Sequence, residues 1–346
     1  MATGYGDITP AVAAWATVRM LKRALPLLIF EKFGQTYPLP TNSTQVAKFR
    51  RYFLSGATGS AGSGTGNFFT PLALTPLVEG VTPEGRTMAN QDYTVQLGQY
   101  GDYMTITDVV NDTHPDNILG EASDILGEQA AETVETLRYN VLKAGTNVFY
   151  GTQVANRLAV ANKIALADQR RVTTALSRQN AKKITTVVAS TPDYNTKSVE
   201  AAFMAVVHPD METDIRDMVG FKPVADYGPH TSPMEGEIGS VEQVRYIATT
   251  IAKPFEAAGV VVASAPTLRS NGGVRIDVYP VIYFARDAFG IVPLKGKDSM
   301  TPMVVNPKPA AGDPLGQRGT VGWKLYTATV ILQDAFMARL EVGATA

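Results

Sequence analysis

The sequence contains no cysteine and few charged residues. The absence of cysteine excludes disulfides, thiolate nucleophiles, Cys-ligated zinc sites and iron–sulfur clusters. Charged residues make up 18% of the 346 residues, below the roughly 25% of an average soluble domain. The formal net charge of −1 argues against a dedicated binder of DNA or anionic membranes, which carries a basic excess. Because 45% of the residues are hydrophobic, a disordered chain is excluded, and much of the surface is expected to face other protein.

The sequence also lacks a long hydrophobic run. The most apolar early segment, Ala24–Phe30, is seven residues long and contains Pro26, whereas a transmembrane helix needs about 20 residues. Basic residues stand directly before this segment rather than at the extreme N-terminus, unlike a signal peptide. We therefore expect neither a membrane segment nor a targeting signal, and a protein that stays inside the cell where it is made.

The N-terminal region has the pattern of an amphipathic arm. Residues 11–34 carry apolar side chains at helical spacing, and Pro26 is expected to kink or end this helix. The apolar positions are Val12, Trp15, Ala16, Val18, Leu21, Leu25 and Leu28. The helix either joins the core of its own subunit or lies on a neighbouring one.

Residues 50–107 have the pattern of a long extended hairpin. The basic-aromatic run Lys48–Tyr52 predicts a strand, Ser55–Gly66 is rich in glycine and serine, and residues 94–107 alternate as a strand does. A two-stranded ribbon is only marginally stable alone in water. It therefore needs a surface to lie on, which points to a partner.

Two helical regions follow the hairpin. Ile118–Ala144 has one apolar stripe with acidic residues early and Lys143 late, which suits the helix macrodipole. Residues 154–183 predict a second helical region, rich in alanine and basic residues.

The remaining chain predicts an α+β domain followed by a long C-terminal strand. Residues 184–294 alternate short strands and helices, and we expect them to form an insertion with its own core. The strand candidates are Thr185–Ala189, Phe203–Val207, Val244–Thr250, Val260–Ser264 and Arg275–Ala285, and the helix candidates are Ser198–Ala205 and Met211–Val219. Pro302–Gly322 predicts a loop, and Trp323–Val342 predicts a strand with a bend near Gln333.

No motif in the sequence points firmly to catalysis. G-x-S-x-G and H-E-x-x-H are absent, and no glycine-rich stretch has the spacing of a phosphate-binding loop. His208, Asp210 and Asp214 form the best candidate for a metal or acid–base site. The alternative interpretation makes the same residues a helix start, with Asp210 at or near the N-cap.

Seven short segments together resemble a known protein family. In chain order they are Phe49–Tyr52, Thr75–Pro83, Gln99–Tyr103, Leu126–Glu132, Ala144–Val148, Val207–Asp210 and Gly236–Gly239. This series resembles the major capsid proteins of tailed bacteriophages, in the branch typified by podoviruses with large virion RNA polymerases. The resemblance covers about residues 38–270.

The resemblance implies the α+β fold of Hong Kong 97-type capsid proteins. Residues 1–48 would be the N-terminal arm and residues 49–107 the extended loop that reaches over an adjacent subunit. Residues 108–183 and 300–346 would form the peripheral domain with its long spine helix. Residues 184–299 would form the axial domain, near the centres of hexamers and pentamers.

The implied function is structural. Many copies would assemble as hexamers and pentamers into an icosahedral head, built in the host bacterial cytoplasm, that encloses double-stranded DNA without sequence specificity. Further implied partners are a portal protein, a separate scaffolding protein and a decoration protein; no cofactor or membrane is implied. The side chains expected at subunit contacts are Trp15, Leu21, Phe49, Arg50, Arg51, Tyr52, Phe68, Phe69, Arg86 and Tyr100.

Two further expectations and two alternatives complete this interpretation. No lysine lies between Lys48 and Lys143, so we expect no covalent cross-link from a lysine of the extended loop. The chain opens without a long charged helical extension, which favours a separate scaffolding protein over a fused one. An encapsulin-like compartment shell and an enzyme that uses the His208 and Asp210 region are the alternatives.

Overall fold

The structure is a computed structural model that describes most of the chain. The described residues are 28–55, 73–74, 76–83, 85–113, 118–184, 201–226, 236–294, 301–305 and 314–346. Every count of strands and helices refers to these residues. The arm before residue 28 and the predicted strand Thr185–Ala189 lie outside them, as do Trp15, Leu21, Phe68 and Phe69.

The described chain contains fourteen strands and four α-helices. The strands are β1 (Gln35–Thr36), β2 (Val46–Leu54), β3 (Met88–Gln96), β4 (Gly98–Thr107), β5 (Val148–Tyr150), β6 (Phe203–Val207), β7 (Phe221–Pro223), β8 (Glu237–Val241), β9 (Val244–Ala248), β10 (Tyr279–Phe284), β11 (Phe289–Pro293), β12 (Thr301–Val305), β13 (Arg318–Ile331) and β14 (Met337–Val342). The helices are α1 (Asp108–Thr113), α2 (Ile118–Lys143), α3 (Leu166–Arg178) and α4 (Glu212–Arg216).

A five-stranded sheet packs on the long helix α2. Its centre is β13, which pairs antiparallel with β4, β11 and β12, and β1 adds to β11. Apolar side chains of β4 and β13 meet the alanine- and leucine-rich stripe of α2; the buried members are Ile106, Ala122, Leu126, Ala130, Ala131, Val134, Val321, Trp323 and Leu325. The small alanine side chains let the helix approach the sheet closely. Helix α2 ends one residue before the predicted end, so the prediction for Ile118–Ala144 is confirmed.

A seven-stranded sheet forms the other half of the described chain. Its strand order is β5-β14-β10-β6-β9-β8-β7. Helices α3 and α4 cover one face, above a core that includes Val172, Leu176, Ile215 and Leu340. Phe30 and the C-terminal end of α2, including Tyr139, cover the opposite face, where they meet Phe284 of β10. Because both faces are covered, the central strands are buried along their whole length.

The C-terminal strand explains why residues 184–294 do not have a core of their own. β14 pairs with β10 on one edge and with β5 on the other, so it lies inside the seven-stranded sheet. β11, in contrast, belongs to the five-stranded sheet. The two halves therefore share strands from distant parts of the sequence, and the expected independent insertion is wrong in this respect. The predicted bend is confirmed, because a short 3-10 helix, Asp334–Phe336, separates β13 from β14.

The hairpin is shorter than predicted. β2 and β3 pair antiparallel and form a ribbon. The pairing runs from Val46, opposite Gln96, to Leu54, opposite Met88. β4, which the sequence pattern assigns to the same hairpin, pairs with β13 over ten residues instead. Exposed polar alternation occurs both on a free ribbon and on a sheet edge, so the sequence pattern does not separate the two.

Several smaller predictions are also wrong, each for a local reason. The second helical region starts only at Leu166, because Val160 and Ile164 are buried in extended backbone that contacts other loops. Val260–Ser264 ends in a 3-10 turn rather than a strand. The expected loop Pro302–Gly322 contains β12 and the start of β13, and Pro302 is tolerated because β12 is an edge strand. The helix expected over Ser198–Ala205 is wrong where it overlaps the buried strand β6.

Candidate subunit-contact surfaces

The ribbon of β2 and β3 has one side toward the body of the subunit and one side toward solvent. Along β2, Ala47 is buried and Phe49 and Arg51 are half-buried, whereas Lys48, Arg50 and Tyr52 are exposed. This alternation follows from the two-residue period of a strand. The four β2 residues expected at subunit contacts thus divide between the two sides, with Arg50 and Tyr52 exposed and Phe49 and Arg51 partly buried.

Phe49 anchors the ribbon to its own subunit. Its ring lies 5.6 Å from the ring of Tyr37 and packs on a cluster formed by Leu39, Ala47, Leu97, Val292 and Ala328. The ring also lies over Gly290, where an added Cβ would come within 2.8 Å of it. Phe49 therefore fixes the base of the ribbon, and its expected role toward a neighbour stays a prediction.

The basic side chains of the ribbon are engaged within the chain. Arg50 donates two hydrogen bonds to Asp92 on the opposite strand, at 2.7 and 2.9 Å, and Lys48 lies 3.3 Å from the same carboxylate. The hydrogen bonds from Arg50 hold the pKa of Asp92 well below its usual value. Arg51 donates to Gln333 at the bend before β14. These contacts stiffen the ribbon and fix its direction, so the expected roles of both arginines toward a neighbour remain predictions.

The other expected contact residues within the described part of the chain are exposed. Tyr52 has 60% of its surface exposed and Tyr100 has 37%, and Arg86 is exposed in the segment that enters β3. Tyr52 lies on β2 of the ribbon and Arg86 lies two residues before β3, whereas Tyr100 lies on β4 in the five-stranded sheet.

An apolar segment that the sequence interpretation did not select connects the two ribbon strands. In this connecting segment (described residues 73–74 and 76–83), four large apolar side chains are more than half exposed: Leu74, Leu77, Val78 and Val81. Exposing so many apolar groups in one short stretch is unfavourable in water. The signal in the sequence is the position of three of them between Pro76 and Pro83, where no regular element can bury them.

A second apolar surface lies on the five-stranded sheet, on the face away from α2. Cross-strand register places Tyr103, Gly322 and Met303 in one row, and Thr105, Thr320 and Val305 in the next. Tyr103 is 69% exposed, Met303 46% and Val305 57%. On this outer sheet face Tyr103 packs closely over Gly322, where an added Cβ would come within 2.8 Å of the Tyr103 Cβ, and both residues line a cleft of about 580 Å³. The result is a shallow apolar groove that no described residue covers.

His208 and its neighbours stabilise a turn through hydrogen bonds and an ion pair. The Nδ1 atom of His208 accepts a hydrogen bond from the backbone N–H of Asp210 at 3.2 Å and caps a 3-10 helix. Asp210 pairs with Arg269 and accepts from the Tyr279 hydroxyl at 2.8 Å, and these partners lower its pKa although burial opposes them. Burial lowers the pKa of His208. His208 itself, rather than Asp210, is the cap.

The Asp214 carboxylate is likewise engaged in a hydrogen bond and an ion pair. It accepts from the backbone N–H of Thr345 at 2.8 Å and lies 3.2 Å from the Lys163 ammonium group, so it holds the C-terminal residues in place. Among the residues that the structure describes, no group of three or more histidine, aspartate or glutamate side chains is arranged to hold a metal ion. Within the same residues, no helix combines the length and the apolar character needed to cross a bilayer.

Comparison with known proteins bears on these surfaces. A family model described as phage capsid protein matches residues 90–340. Among solved structures, the capsid of Ralstonia phage GP4 is 13% identical with a TM-score of 0.62, over 90% of this chain and 87% of that chain. The capsid of cyanophage P-SCSP1u is also 13% identical, with a TM-score of 0.56 over 92% and 88% of the two chains. A search of curated proteins gave no match.

A third structure extends the comparison to another host. The head of Helicobacter pylori bacteriophage KHP40 is 13% identical with a TM-score of 0.56, over 89% of this chain and 86% of that chain. At this identity the structural likeness bears on the fold alone. The predicted α+β fold of the Hong Kong 97 type is confirmed by these matches.

Proposed function

Because the chain belongs to the phage capsid protein family, we propose that its copies assemble as hexamers and pentamers into an icosahedral head that encloses double-stranded DNA. The family makes the role of the protein structural and places it in the capsid of a virion. Assembly in the host bacterial cytoplasm, with a portal protein, a separate scaffolding protein and a decoration protein, is part of the same proposal. So is the division into an arm, an extended loop, a peripheral domain and an axial domain.

The observation that carries the proposal is a pair of exposed apolar surfaces. The outer sheet face presents Tyr103, Met303 and Val305, and the connecting segment presents Leu74, Leu77, Val78 and Val81. Each surface would gain stability by leaving water, at about 25 cal/mol for each Å² buried. Within the described residues neither covers the other, so a second copy is the partner that fits both.

The proposed assembly needs repeated contacts between neighbours rather than a closed pair. A segment on the ribbon that covers a different surface on the next subunit makes a heterologous contact, and such contacts close into rings when the rotation allows it. The anchoring of the ribbon by Phe49 and Arg51 supports this, because a ribbon fixed at its base presents the connecting segment in one direction. Less conformational freedom is then lost on binding.

The proposed role is not catalytic. Asp210 and Asp214 are engaged by Arg269, Tyr279, Lys163 and Thr345 in contacts that join loops to the C-terminus. The enzyme alternative needs a free acid or base in this region. It predicts turnover that is lost in His208→Ala while shells still form.

The experiment that tests the assembly proposal is a double substitution on the outer sheet face. Tyr103→Asp with Met303→Asp places two charges where an apolar partner would lie, and an unpaired buried charge costs several kcal/mol. Since about 1.4 kcal/mol is a factor of ten in an association constant, we expect shells to be lost while the subunit remains folded. Sedimentation and negative-stain microscopy measure the shells, and circular dichroism measures the fold.

A matched control substitutes exposed valines elsewhere. Val219→Asp with Val274→Asp alters side chains that are 80% and 77% exposed but lie outside the outer sheet face. The control protein should form shells in normal yield. Normal shells from the Tyr103 and Met303 variant would contradict the assignment of this face.

A further inference from the structure

A loop at one end of the seven-stranded sheet is held by a single buried carboxylate. Asp277, which precedes β10, is 2% exposed. Its Oδ1 accepts from the backbone N–H of Ala257 and its Oδ2 from the backbone N–H of Asn271, both at 2.8 Å. The hydroxyl of Ser270 donates to the carbonyls of Gly273 and Arg275, at 3.1 and 2.9 Å. The turn at residues 270–275 is thus fixed at its base.

The turn contains the one Asn-Gly pair of the whole sequence, Asn271–Gly272. Both residues are exposed, and a Cβ added at Gly272 would meet no atom within 4 Å. The hydrogen bonds of the turn use the N–H of Asn271, not that of Gly272. With respect to the residues that the structure describes, the side-chain amide of Asn271 and the N–H of Gly272 make no hydrogen bond.

From this geometry we infer that Asn271 is a site of spontaneous modification to aspartate and isoaspartate in the folded protein. The deprotonated backbone nitrogen of Gly272 attacks Cγ of Asn271, a new N–C bond closes a succinimide ring, and the side-chain amide leaves as ammonia. Water then opens either carbonyl of the ring. Opening one gives aspartate, and opening the other gives isoaspartate, in which the main chain runs through the former side chain. No oxidant or reductant takes part.

The modification changes the loop in a defined way. Each converted subunit gains one negative charge, close to the buried carboxylate of Asp277. Isoaspartate also lengthens the main chain by one carbon, which displaces the Asn271 N–H from Asp277. Removing one partner leaves a buried acceptor without a hydrogen bond, which destabilises the local structure. The turn between Arg269 and Arg275 should therefore become more accessible to trypsin.

Peptide mapping by mass spectrometry tests this inference on the intact full-length protein. Samples are held at several pH values under conditions in which the fold persists, and the modified fraction at Asn271 is followed over time. The rate should rise about tenfold for each pH unit, because the deprotonated fraction of a group far below its pKa rises by that factor. Trypsin should cut the modified protein after Arg269 or Arg275 faster than it cuts fresh protein.

Internal and engineered controls keep the result specific. Asn42 and Asn180 are exposed and precede Ser43 and Ala181, so they should convert far more slowly. Asn271→Gln should show no conversion at residue 271 and no time-dependent gain in trypsin cleavage. A synthetic peptide of residues 264–280 reports the unfolded rate. The inference is overturned if that peptide converts while Asn271 in the folded protein does not.

Discussion

At the scale of single residues, His208 shows how a side chain that suggests chemistry can instead support a turn. Its Nδ1 atom must be unprotonated to accept the Asp210 N–H, and burial already lowers the pKa of the imidazole. The folded protein thus favours the neutral form more than the unfolded chain does. Stability from this group is present above the ordinary pKa of 6.5 and is lost as the pH falls toward the lower folded value.

We therefore predict a pH-dependent difference between the wild type and His208→Asn. Asparagine keeps a side-chain oxygen that can cap the helix but does not titrate. In urea denaturation, the unfolding free energy of the wild type should decrease relative to that of the variant as the pH is lowered from above 6.5. A constant difference between the two proteins across this range would show that folding does not change the pKa of His208.

Residue identity alone predicts which side chains are aromatic or basic, but not where they point. Phe49 and Tyr52 lie three positions apart on one strand, so they face opposite sides of the ribbon. The sequence could not tell which side meets the body, because the covering cluster comes from Leu39, Leu97 and Val292, far apart along the chain. Arg51 is similar: its partner Gln333 is 282 residues away.

At the scale of elements, helix α3 ends in a left-handed residue. Asn180 has φ of 56°, and the N–H of Ala181 bonds to the carbonyl of Leu176 at 3.1 Å, five residues back. This is the hydrogen bond of a Schellman motif, in which glycine is the preferred residue at the left-handed position. Asparagine is the next most tolerant choice.

We predict opposite effects for two substitutions at this position. Asn180→Gly should leave stability unchanged or raise it slightly, whereas Asn180→Val should lower it by about 1–2 kcal/mol because a β-branched side chain clashes in the left-handed region. Thermal and urea unfolding measure both. Equal stability of the glycine and valine variants would show that residue 180 does not need the left-handed conformation to end the helix.

Elements with a strong local pattern are predicted well from the sequence, and those defined by distant partners are not. The apolar stripe of α2 repeats through 26 consecutive residues, so the sequence alone predicts where this helix begins and ends. β4 carries the same polar alternation as the ribbon but belongs to a sheet whose other strands come mainly from residues 289–331. Short strands such as β12, with a proline inside, give almost no local signal.

At the scale of the whole molecule, the division of the chain between two sheets depends on its last 30 residues. β13 completes one sheet and β14 enters the other between β5 and β10, with only a short turn between them. The sequence predicted the bend but not the sheet that each half of this strand joins. Pairings of such high sequence separation are set by the global fold rather than by local preference.

The pairing of β2 with β3 decides which deletion tests the extended loop. Removing residues 55–98 would also remove β3 and the buried Leu97, so a failure to assemble would prove little. Ser55 and Thr87 still pair, with the N–H of Ser55 donating to the Thr87 carbonyl at 2.8 Å. Residues 56–86 can therefore be replaced by a two-residue Gly-Ser turn that closes the ribbon.

We predict that this shortened protein folds as a soluble subunit and forms no shells, because it keeps the ribbon but loses the apolar connecting segment. A companion variant keeps the full length and changes Leu74, Leu77, Val78 and Val81 to serine; it should fail in the same way, since the apolar side chains, not the length of the loop, provide the contact. Analytical ultracentrifugation and electron microscopy measure assembly, and unfolding curves verify the fold. Shells formed by the serine variant but not by the shortened one would assign the contact to other residues of the removed stretch, such as Arg86, instead.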